Sequence, residues 1–428
     1  MDPADTLRRS RGAVMVSGVS RRGERLVASP PLAEYIHENF ARVGEACHPV
    51  DNPDGYVSMC IAENKLTWDL LEPKMSESRA ISQSAVGYDT MIGSAPFRQE
   101  LARFMGRTFL GRAVDPEQIA VLSGAGSVLE LLFYAICDAG DGVLVPTPSY
   151  AGFWADLETR DELTIIPVHC DSADGFALTR GHLDAALADA DRPVGALLFT
   201  TPNNPLGRVY TSEEIQDVVD WAAENDIHVV FDEIYALSTF DDIPFVSVAS
   251  LLPELGDKVH IVWAFSKDFA MSGLRCGVLV TENEAVLQAV DGLAYWACCS
   301  GDTQQLLKQM IADGSWVDGY IAENRRRLAS AYDQVTAGLD AIGVQYLPSE
   351  AGFFVFCDMR AFMPEVTWEA EGYLWRRLLE EANVNLTPGS ACRVGEPGFM
   401  RLCFAGEPTE AMLTGIERIG RVLLTLSD

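Results

Sequence analysis

Short runs of apolar residues, separated by polar or glycine-containing stretches, recur in the middle of the chain. The clearest are GALLFT at 195–200, HVVFDE at 228–233, HIVWAF at 260–265 and GVLV at 277–280. Their apolar positions are nearly continuous rather than alternating, which is typical of strands buried on both faces of a sheet. The pattern therefore predicts a mostly parallel sheet in this part of the chain.

A helical pattern lies between the first two of these runs, over residues 211–226. Thr211 and Glu214 have the spacing of a capping box, in which side chains satisfy backbone N–H groups at a helix start. The apolar positions that follow recur at helical spacing: Ile215, Val218, Val219 and Ala222. Strand, helix and strand in this order form a βαβ unit, so we predict a doubly wound α/β domain.

The pattern changes after about residue 300. Long amphipathic helices are predicted over 323–343 and 368–382, with strands over 353–359 and 400–404, which together indicate a smaller α+β domain. We expect three regions: residues 1–75 as an N-terminal arm and part of the small domain, 76–310 as the large domain, and 311–428 as the small C-terminal domain.

Composition excludes several classes of function. The 428 residues carry a formal charge of −30, which repels nucleic acid and anionic membranes, so an anionic ligand would need a local cationic pocket. The ten cysteines form no CxxC pair and the six histidines form no cluster, so we predict reduced thiols and no metal site. No apolar stretch approaches the ~18 residues of a membrane span. The arginine-rich N-terminus has no export-type apolar segment, and we predict a cytoplasmic protein.

Polar residues follow the predicted strands at their carboxyl ends, where ligands bind in doubly wound sheets. Asn204 follows the first run in a proline-rich turn, Asp232 lies at the end of the second with Tyr235 three residues on, and Lys267 with Arg275 follows the third. Each of these features is weak alone, because a lysine or aspartate at a strand end is usually solvated or caps a helix. Together they indicate one shared ligand.

Two upstream segments contribute further candidates. VLSGAGSVLELL at 121–132 predicts a strand, a glycine-rich turn and a helix start, where the N–H groups of Ala125, Gly126 and Ser127 would face an anion. A turn of this composition is more often only a turn. Tyr150 follows another predicted strand and supplies an aromatic face.

Pyridoxal phosphate meets all of these demands. Lys267 would hold it as a Schiff base, and Asp232 would pair with the pyridinium so that the ring accepts electrons. Tyr235 and Asn204 would bind its phenolic oxygen, and Tyr150 would stack on the ring. The amides at 125–127 and Arg275 would bind the phosphate, because an unpaired buried dianion is costly.

The chain also resembles fold-type I pyridoxal-phosphate enzymes, the aspartate aminotransferase superfamily, and among them the 1-aminocyclopropane-1-carboxylate (ACC) synthase subgroup. Beyond the SKDFAMSGLRCG segment, the resemblance lies in NPDGYVSMCIAENKLTWDLL at 52–71, PTPSYAGF at 146–153, AGFFVFCDMR at 351–360 and NVNLTPGSACRVGEPGFMRLCFA at 383–405. It implies a large cofactor domain, a smaller domain built from both chain ends, and a homodimer with shared active sites.

The resemblance also implies roles for individual residues. Arg401 would clamp the substrate α-carboxylate, with Asn204 beside it, and Glu63 would face the substrate amino acid. Tyr88 has the spacing of a tyrosine that reaches the phosphate of the neighbouring subunit, and Thr303 would lie near the partner's cofactor.

Two positions depart from the family pattern. A phosphate-binding serine often stands three residues before the lysine, where this chain has Ala264, so Ser266 or other donors would have to compensate. A tyrosine of the ring-forming site is usual two residues before Gly93, where this chain has Met91. Cyclopropane formation is therefore open even if the substrate class is retained.

Three functions follow as hypotheses. The first is an enzyme that deprotonates Cα of an amino acid, S-adenosylmethionine in particular, and releases methylthioadenosine by cyclisation, or by γ-elimination or γ-replacement through a vinylglycine-type intermediate. The second is an aminotransferase that uses the same lysine and a keto-acid acceptor. The third, a non-catalytic regulatory domain, is disfavoured because the chain has no basic DNA-binding module.

Overall fold

The computed structural model describes residues 18–48, 50–240 and 243–426. The first 17 residues of the predicted arm and the last two residues of the predicted C-terminal domain lie outside the described residues. The strands are β1 (Val57–Ser58), β2 (Ile119–Leu122), β3 (Gly142–Thr147), β4 (Thr164–His169), β5 (Val194–Thr200), β6 (His228–Asp232), β7 (Val259–Ala264), β8 (Gly277–Thr281), β9 (Gln345–Leu347), β10 (Phe354–Asp358), β11 (Val384–Asn385), β12 (Thr387–Pro388) and β13 (Phe399–Cys403).

The helices cover both faces of the main sheet and one face of the smaller one. They are α1 (Arg21–Ala28), α2 (Glu34–Arg42), α3 (Trp68–Ser78), α4 (Ala95–Thr108), α5 (Ala125–Ile136), α6 (Phe153–Glu158), α7 (Arg180–Ala188), α8 (Ser212–Glu224), α9 (Val248–Leu251), α10 (Phe265–Asp268), α11 (Glu284–Ala294), α12 (Gly301–Ala312), α13 (Gly314–Ala341), α14 (Trp368–Glu381) and α15 (Thr409–Leu424).

The main sheet has seven strands in the order β2-β8-β7-β6-β5-β3-β4. Strands β4, β3, β5, β6 and β7 are parallel, and β8 runs antiparallel to β7 and β2. Helices α4 and α8 pack on one face, and α5, α6 and α11 on the other. The predicted doubly wound, mostly parallel sheet is confirmed.

The four apolar runs that open the sequence analysis are strands β5 to β8, and every side chain of β7 and β8 is buried. The capping box is also confirmed, since Thr211 Oγ1 accepts from Glu214 N while the Glu214 side chain accepts from Thr211 N. The helix predicted from residue 323 begins earlier, at Gly314, because the Asp313 carboxylate caps it by accepting from Trp316 N at 3.1 Å. Gly314 and Gly319 lie in its first turns, and because glycine disfavours helices, the sequence pattern did not predict this start.

A smaller antiparallel sheet in the order β12-β13-β10-β9 forms beside the main one. A separate parallel pair joins β1 to β11, with Val57 opposite Val384. The N-terminal segment thus packs with C-terminal elements. Helix α13 connects the two cores, with Val317 in that of the main sheet and Leu328 in that of the smaller sheet. The exact boundaries at 75/76 and 310/311 stay predictions.

No helix in the described part of the chain is long and apolar enough to cross a membrane. All ten cysteines are free thiols. The cytoplasmic location stays a prediction.

Candidate active site

Lys267 lies where the sheet ends. Strand β7 finishes at Ala264, the chain turns through extended backbone at that residue, and α10 presents the lysine one turn later. Its Nζ donates to the carbonyl oxygen of Ala62 at 2.6 Å. Burial, assisted by the Arg401 cation, lowers the pKa of the amine to about 8, while Cys403 and the carboxylates of Glu63 and Asp232 oppose the change. A fraction of this amine is therefore neutral and nucleophilic near neutral pH.

Asp232 ends the neighbouring strand β6, directly beside β7 in the parallel register. It is buried, with an exposed fraction of 6%, and its Oδ1 accepts from Ile234 N at 3.3 Å. Burial raises the pKa of its carboxyl to about 7, against the Ile234 hydrogen bond and the Lys267 charge. A cation bound against Asp232 would reverse this shift, so the residue fits the ring nitrogen of a pyridinium.

Asn204 connects two other predicted site residues. Its Nδ2 donates to the Tyr235 hydroxyl at 3.4 Å, and its Oδ1 accepts from Arg401 Nη1 at 3.0 Å. The Tyr235 ring is held edge-on by Phe353 and Phe354. The turns after β5 and β6 are thereby tied to strand β13 of the smaller sheet.

Arg401 lies in the middle of β13 with an exposed fraction of only 1%. Its Nη2 donates to Cys60 O at 2.6 Å and to Thr387 Oγ1 at 3.0 Å, and its guanidinium stacks over Phe354 with 4.8 Å to the ring centroid. Its Nε finds no hydrogen-bond partner among the described residues, and no carboxylate there forms an ion pair with it. A buried guanidinium with only neutral partners is strongly unfavourable unless an anion binds it.

A cationic cradle forms at the start of α5. Gly124 precedes the helix with φ of +91°, and Val128 is the first residue whose N–H bonds back to Gly124 O, so the N–H groups of residues 125–127 project from the helix end. The Arg275 guanidinium lies across this end and donates to Ser272 O at 3.0 Å and Ser123 O at 3.4 Å. A Cβ on Gly124 would lie 2.6 Å from Arg275 Cζ, so only glycine leaves room for the arginine. The cradle is suited to a phosphate dianion.

Tyr150 lies between this cradle and Arg401. It follows β3, packs edge-to-face on Phe153 at 5.2 Å, and interacts electrostatically with Asp232, Arg275 and Arg401. Burial raises the pKa of its phenol to about 12, so it stays protonated. Its role facing the cofactor ring stays a prediction.

Glu63 lies in the irregular segment after β1 rather than at a helix end. Its Oε1 accepts from Ser272 Oγ at 3.2 Å, and it acts electrostatically on Lys267. Ser266, next to the lysine, is buried. Both residues thus belong to the same part of the molecule as Lys267.

Tyr88 is not brought to this cluster by its own chain. Its exposed fraction is 97%, and it follows a short turn over Gln83–Val86 that packs against α12. Thr303 lies buried in the first turn of α12, where its Oγ1 accepts from Ser300 Oγ at 2.9 Å. The two residues predicted to reach a partner subunit are therefore on adjoining segments, away from Lys267.

The residues at the two positions that depart from the family pattern pack against hydrophobic cores. Ala264 is fully buried in the core of the smaller sheet, and Met91 packs on the core formed by α5, α6 and α11. Neither supplies a polar group to the site.

Sequence reasoning missed Tyr35. It lies on α2, its exposed fraction is 4%, and its phenol interacts electrostatically with Arg401, Cys392, Tyr150 and Cys60. Asn385 Nδ2 donates to the Tyr35 backbone oxygen at 2.8 Å, which holds α2 against β11. No spacing in the sequence connects residue 35 with residue 401, so this proximity could not be predicted.

Comparison with known proteins agrees with this geometry. Residues 58–419 match the family described as aminotransferase class I and II. The chain is 36% identical over 390 residues to 1-aminocyclopropane-1-carboxylate synthase 6 of Arabidopsis thaliana, covering 87% of this chain and 79% of that protein. It is 38% identical over 403 residues to 1-aminocyclopropane-1-carboxylate synthase 5 of Oryza sativa subsp. japonica, covering 88% and 75%.

Solved structures show the same fold at lower identity. A double mutant of the Thermus thermophilus aspartate aminotransferase superposes with a TM-score of 0.79 at 24% identity, covering 95% of this chain and all of that one. A Pyrococcus structure titled protein-A1 superposes with a TM-score of 0.81 at 22% identity, covering 94% and 99%. Fold, sequence and the chemistry of the buried side chains therefore agree: the chain belongs to the class I and II aminotransferase family of pyridoxal-phosphate-dependent enzymes.

Proposed function

We propose that this enzyme acts on S-adenosylmethionine, removes its Cα proton and releases methylthioadenosine. The main support is that Arg401 is buried without a carboxylate partner in the described chain and lies near the Lys267 amine and Glu63. An amino-acid substrate supplies the anion that Arg401 lacks, and the relatives that match over most of the chain are named as ACC synthases. The charge of −30 also favours a cationic sulfonium substrate.

The residues present fit pyridoxal phosphate. We assign Lys267 to its aldehyde carbon, Asp232 to its ring nitrogen, Asn204 and Tyr235 to its phenolic oxygen, and Tyr150 to its ring face. Residues 125–127, Arg275 and Ser266 are assigned to the phosphate side. When bound, the cofactor supplies an electron sink for the pair left at Cα.

Lys267 then serves as the base. Its lowered pKa, caused by burial, lets the free amine take the Cα proton near neutral pH. Arg401 holds the α-carboxylate and fixes which bond at Cα faces the lysine. Tyr35 of the N-terminal segment is buried within electrostatic range of Arg401, so we assign it to the wall of the site on that side.

The fate of the substrate after proton loss rests on groups around its side chain. Met91 offers no hydroxyl where ring-forming relatives have a tyrosine, so cyclisation and γ-elimination or γ-replacement both stay open. A methionine side chain cannot transfer a proton, whereas a tyrosine phenol can, so Met91 does not select among these outcomes.

Transamination is the second candidate. The matched family is that of the class I and II aminotransferases, and the Lys267 amine, once protonated, could equally serve as the proton donor that transamination needs. This alternative would require a keto-acid acceptor in place of a γ leaving group.

We also propose a homodimer with shared active sites. Tyr88 is almost fully exposed, and large apolar side chains at Ile81, Val86, Tyr295 and Trp296 are exposed as well. Apolar surface of this kind is typical of a protein interface. Across a two-fold axis, Tyr88 would reach the phosphate cradle of the partner subunit.

Purified enzyme with S-adenosylmethionine is expected to release methylthioadenosine, because the substrate carries the leaving group that deprotonation at Cα activates. Chromatography of the products distinguishes the fates: ACC indicates ring closure, and a four-carbon keto acid or a substituted amino acid indicates elimination or replacement. Absence of methylthioadenosine, with keto-acid-dependent turnover of another amino acid, would establish the aminotransferase instead.

Replacing Lys267 by alanine is expected to reduce turnover by about 10³-fold or more, because the proton-transferring base is lost. Lys258→Ala is the matched control: that lysine lies at the opposite end of β7 and pairs with Asp226. Steady-state kinetics and the visible absorbance of Lys267-bound cofactor measure the effect. Turnover of Lys267→Ala close to that of Lys258→Ala would remove the lysine from the mechanism.

Arg401→Lys keeps the buried charge but removes the planar fork, so KM is expected to rise about tenfold or more with a smaller change in kcat. Arg418→Lys serves as the control, since Arg418 is also buried but donates to the backbone oxygen of Gly55. An unchanged KM in Arg401→Lys would contradict the carboxylate clamp.

Mixing the inactive variants Lys267→Ala and Tyr88→Ala tests the shared site. A heterodimer of the two contains one site with both native residues, so activity should return to about a quarter of the wild-type value after subunit exchange. If Tyr88 acted within its own chain or the protein were monomeric, the mixture would be no more active than its components.

A further inference from the structure

Asp156 brings a carboxylate to the phosphate cradle, in addition to the phosphate that we assign there. It lies on α6, six residues after Tyr150, and faces the first turn of α5: a Cβ built on Gly126 would be 3.5 Å from Asp156 Oδ1. No hydrogen bond or ion pair holds its carboxylate within the described chain. The carboxylate therefore borders the helix end assigned to the phosphate, without being committed to another partner.

The surrounding charges define its electrostatic setting. Asp156 interacts electrostatically with Glu130 on α5, Arg275 before β8, Asp232 on β6 and Tyr150 after β3. Arg160 and Asp161 follow it on its own segment, and Arg393 stacks over the adjacent Trp154. Arg275 is thus the cation that Asp156 and a bound phosphate would share.

We propose that Asp156 is a positioning residue of the cofactor site, whose carboxylate competes with the cofactor phosphate for the end of α5 and Arg275, so that cofactor binding is accompanied by proton uptake at Asp156. This inference rests on the assignment of the phosphate to that cradle. Two anions at one helix end repel each other, and the weaker acid of the two takes up a proton.

The sign of the effect follows from linkage. Without cofactor, burial and then Glu130 raise the pKa of Asp156 to about 6, while Arg275 opposes them. A dianionic phosphate nearby raises this pKa further. Affinity for the cofactor is therefore unaffected by Asp156 below about pH 6, where the carboxyl is already protonated, and falls as pH rises through the cofactor-bound pKa.

The test is titration of the cofactor-free enzyme with pyridoxal phosphate from about pH 5.5 to about pH 8.5, followed by visible absorbance. Asp156→Asn should bind it about tenfold more tightly than wild type near pH 8, and equally near pH 5.5. Lys267, Asp232 and the phosphate itself titrate in both proteins, so the ratio of the two dissociation constants isolates residue 156. Asp156→Ser is a second neutral variant should the asparagine protein fail to fold.

Two controls make the result specific. Asp161→Asn removes a buried carboxylate that also faces Glu130 but not Arg275, and it should leave the ratio near one at every pH. Pyridoxal, which lacks the phosphate, should bind wild type and Asp156→Asn alike. Equal or weaker binding of pyridoxal phosphate by Asp156→Asn near pH 8 would overturn the proposal, and so would the same gain with pyridoxal, which would locate the effect at Asp232.

Discussion

Burial of charge without an internal counter-charge is the constraint on which the site depends. Asp232 and Arg401 are buried and Lys267 is half-buried, yet the described chain gives none of the three an ion pair. The cost appears as displaced pKa values for the lysine and the aspartate, and as an unpartnered Nε on the arginine. An oppositely charged ligand group bound at such a residue would relieve this cost, so the unpaired charges mark this part of the molecule as a candidate binding site.

The main sheet makes this arrangement possible. Parallel strands β5, β6 and β7 end at one edge, so the segments that follow them bring Asn204, Asp232 and Lys267 together although they are far apart in sequence. The smaller sheet contributes Arg401 from a buried strand, and Asn204 connects the two by bonding both Tyr235 and Arg401. One amide therefore connects residues carried by the two sheets.

The anion sites differ in construction. At the phosphate cradle, backbone N–H groups, a helix dipole and Arg275 act together, and glycine at 124 is the condition for the arginine to approach. At Arg401 a single guanidinium acts with neutral partners. In a chain with a charge of −30, both must be local and partly enclosed, since the overall field opposes any anion. Asp156 modifies only the first of them.

The sequence by itself determined most of the elements and most residues of the candidate site. Continuous apolar runs predict the buried strands, the Thr211 and Glu214 spacing predicts a helix start, and polar residues just after strands predict Lys267, Asp232 and Asn204, because these signals are local in the chain. Tertiary structure alone decided the contacts between distant segments: Tyr35 beside Arg401, Asp156 beside Gly126, and Glu63 on Ser272. The start of α13 at Gly314 likewise became evident only from the structure, because it depends on the cap that Asp313 provides. Such contacts depend on how helices and sheets pack together, and packing over hundreds of residues leaves no period or spacing in the sequence.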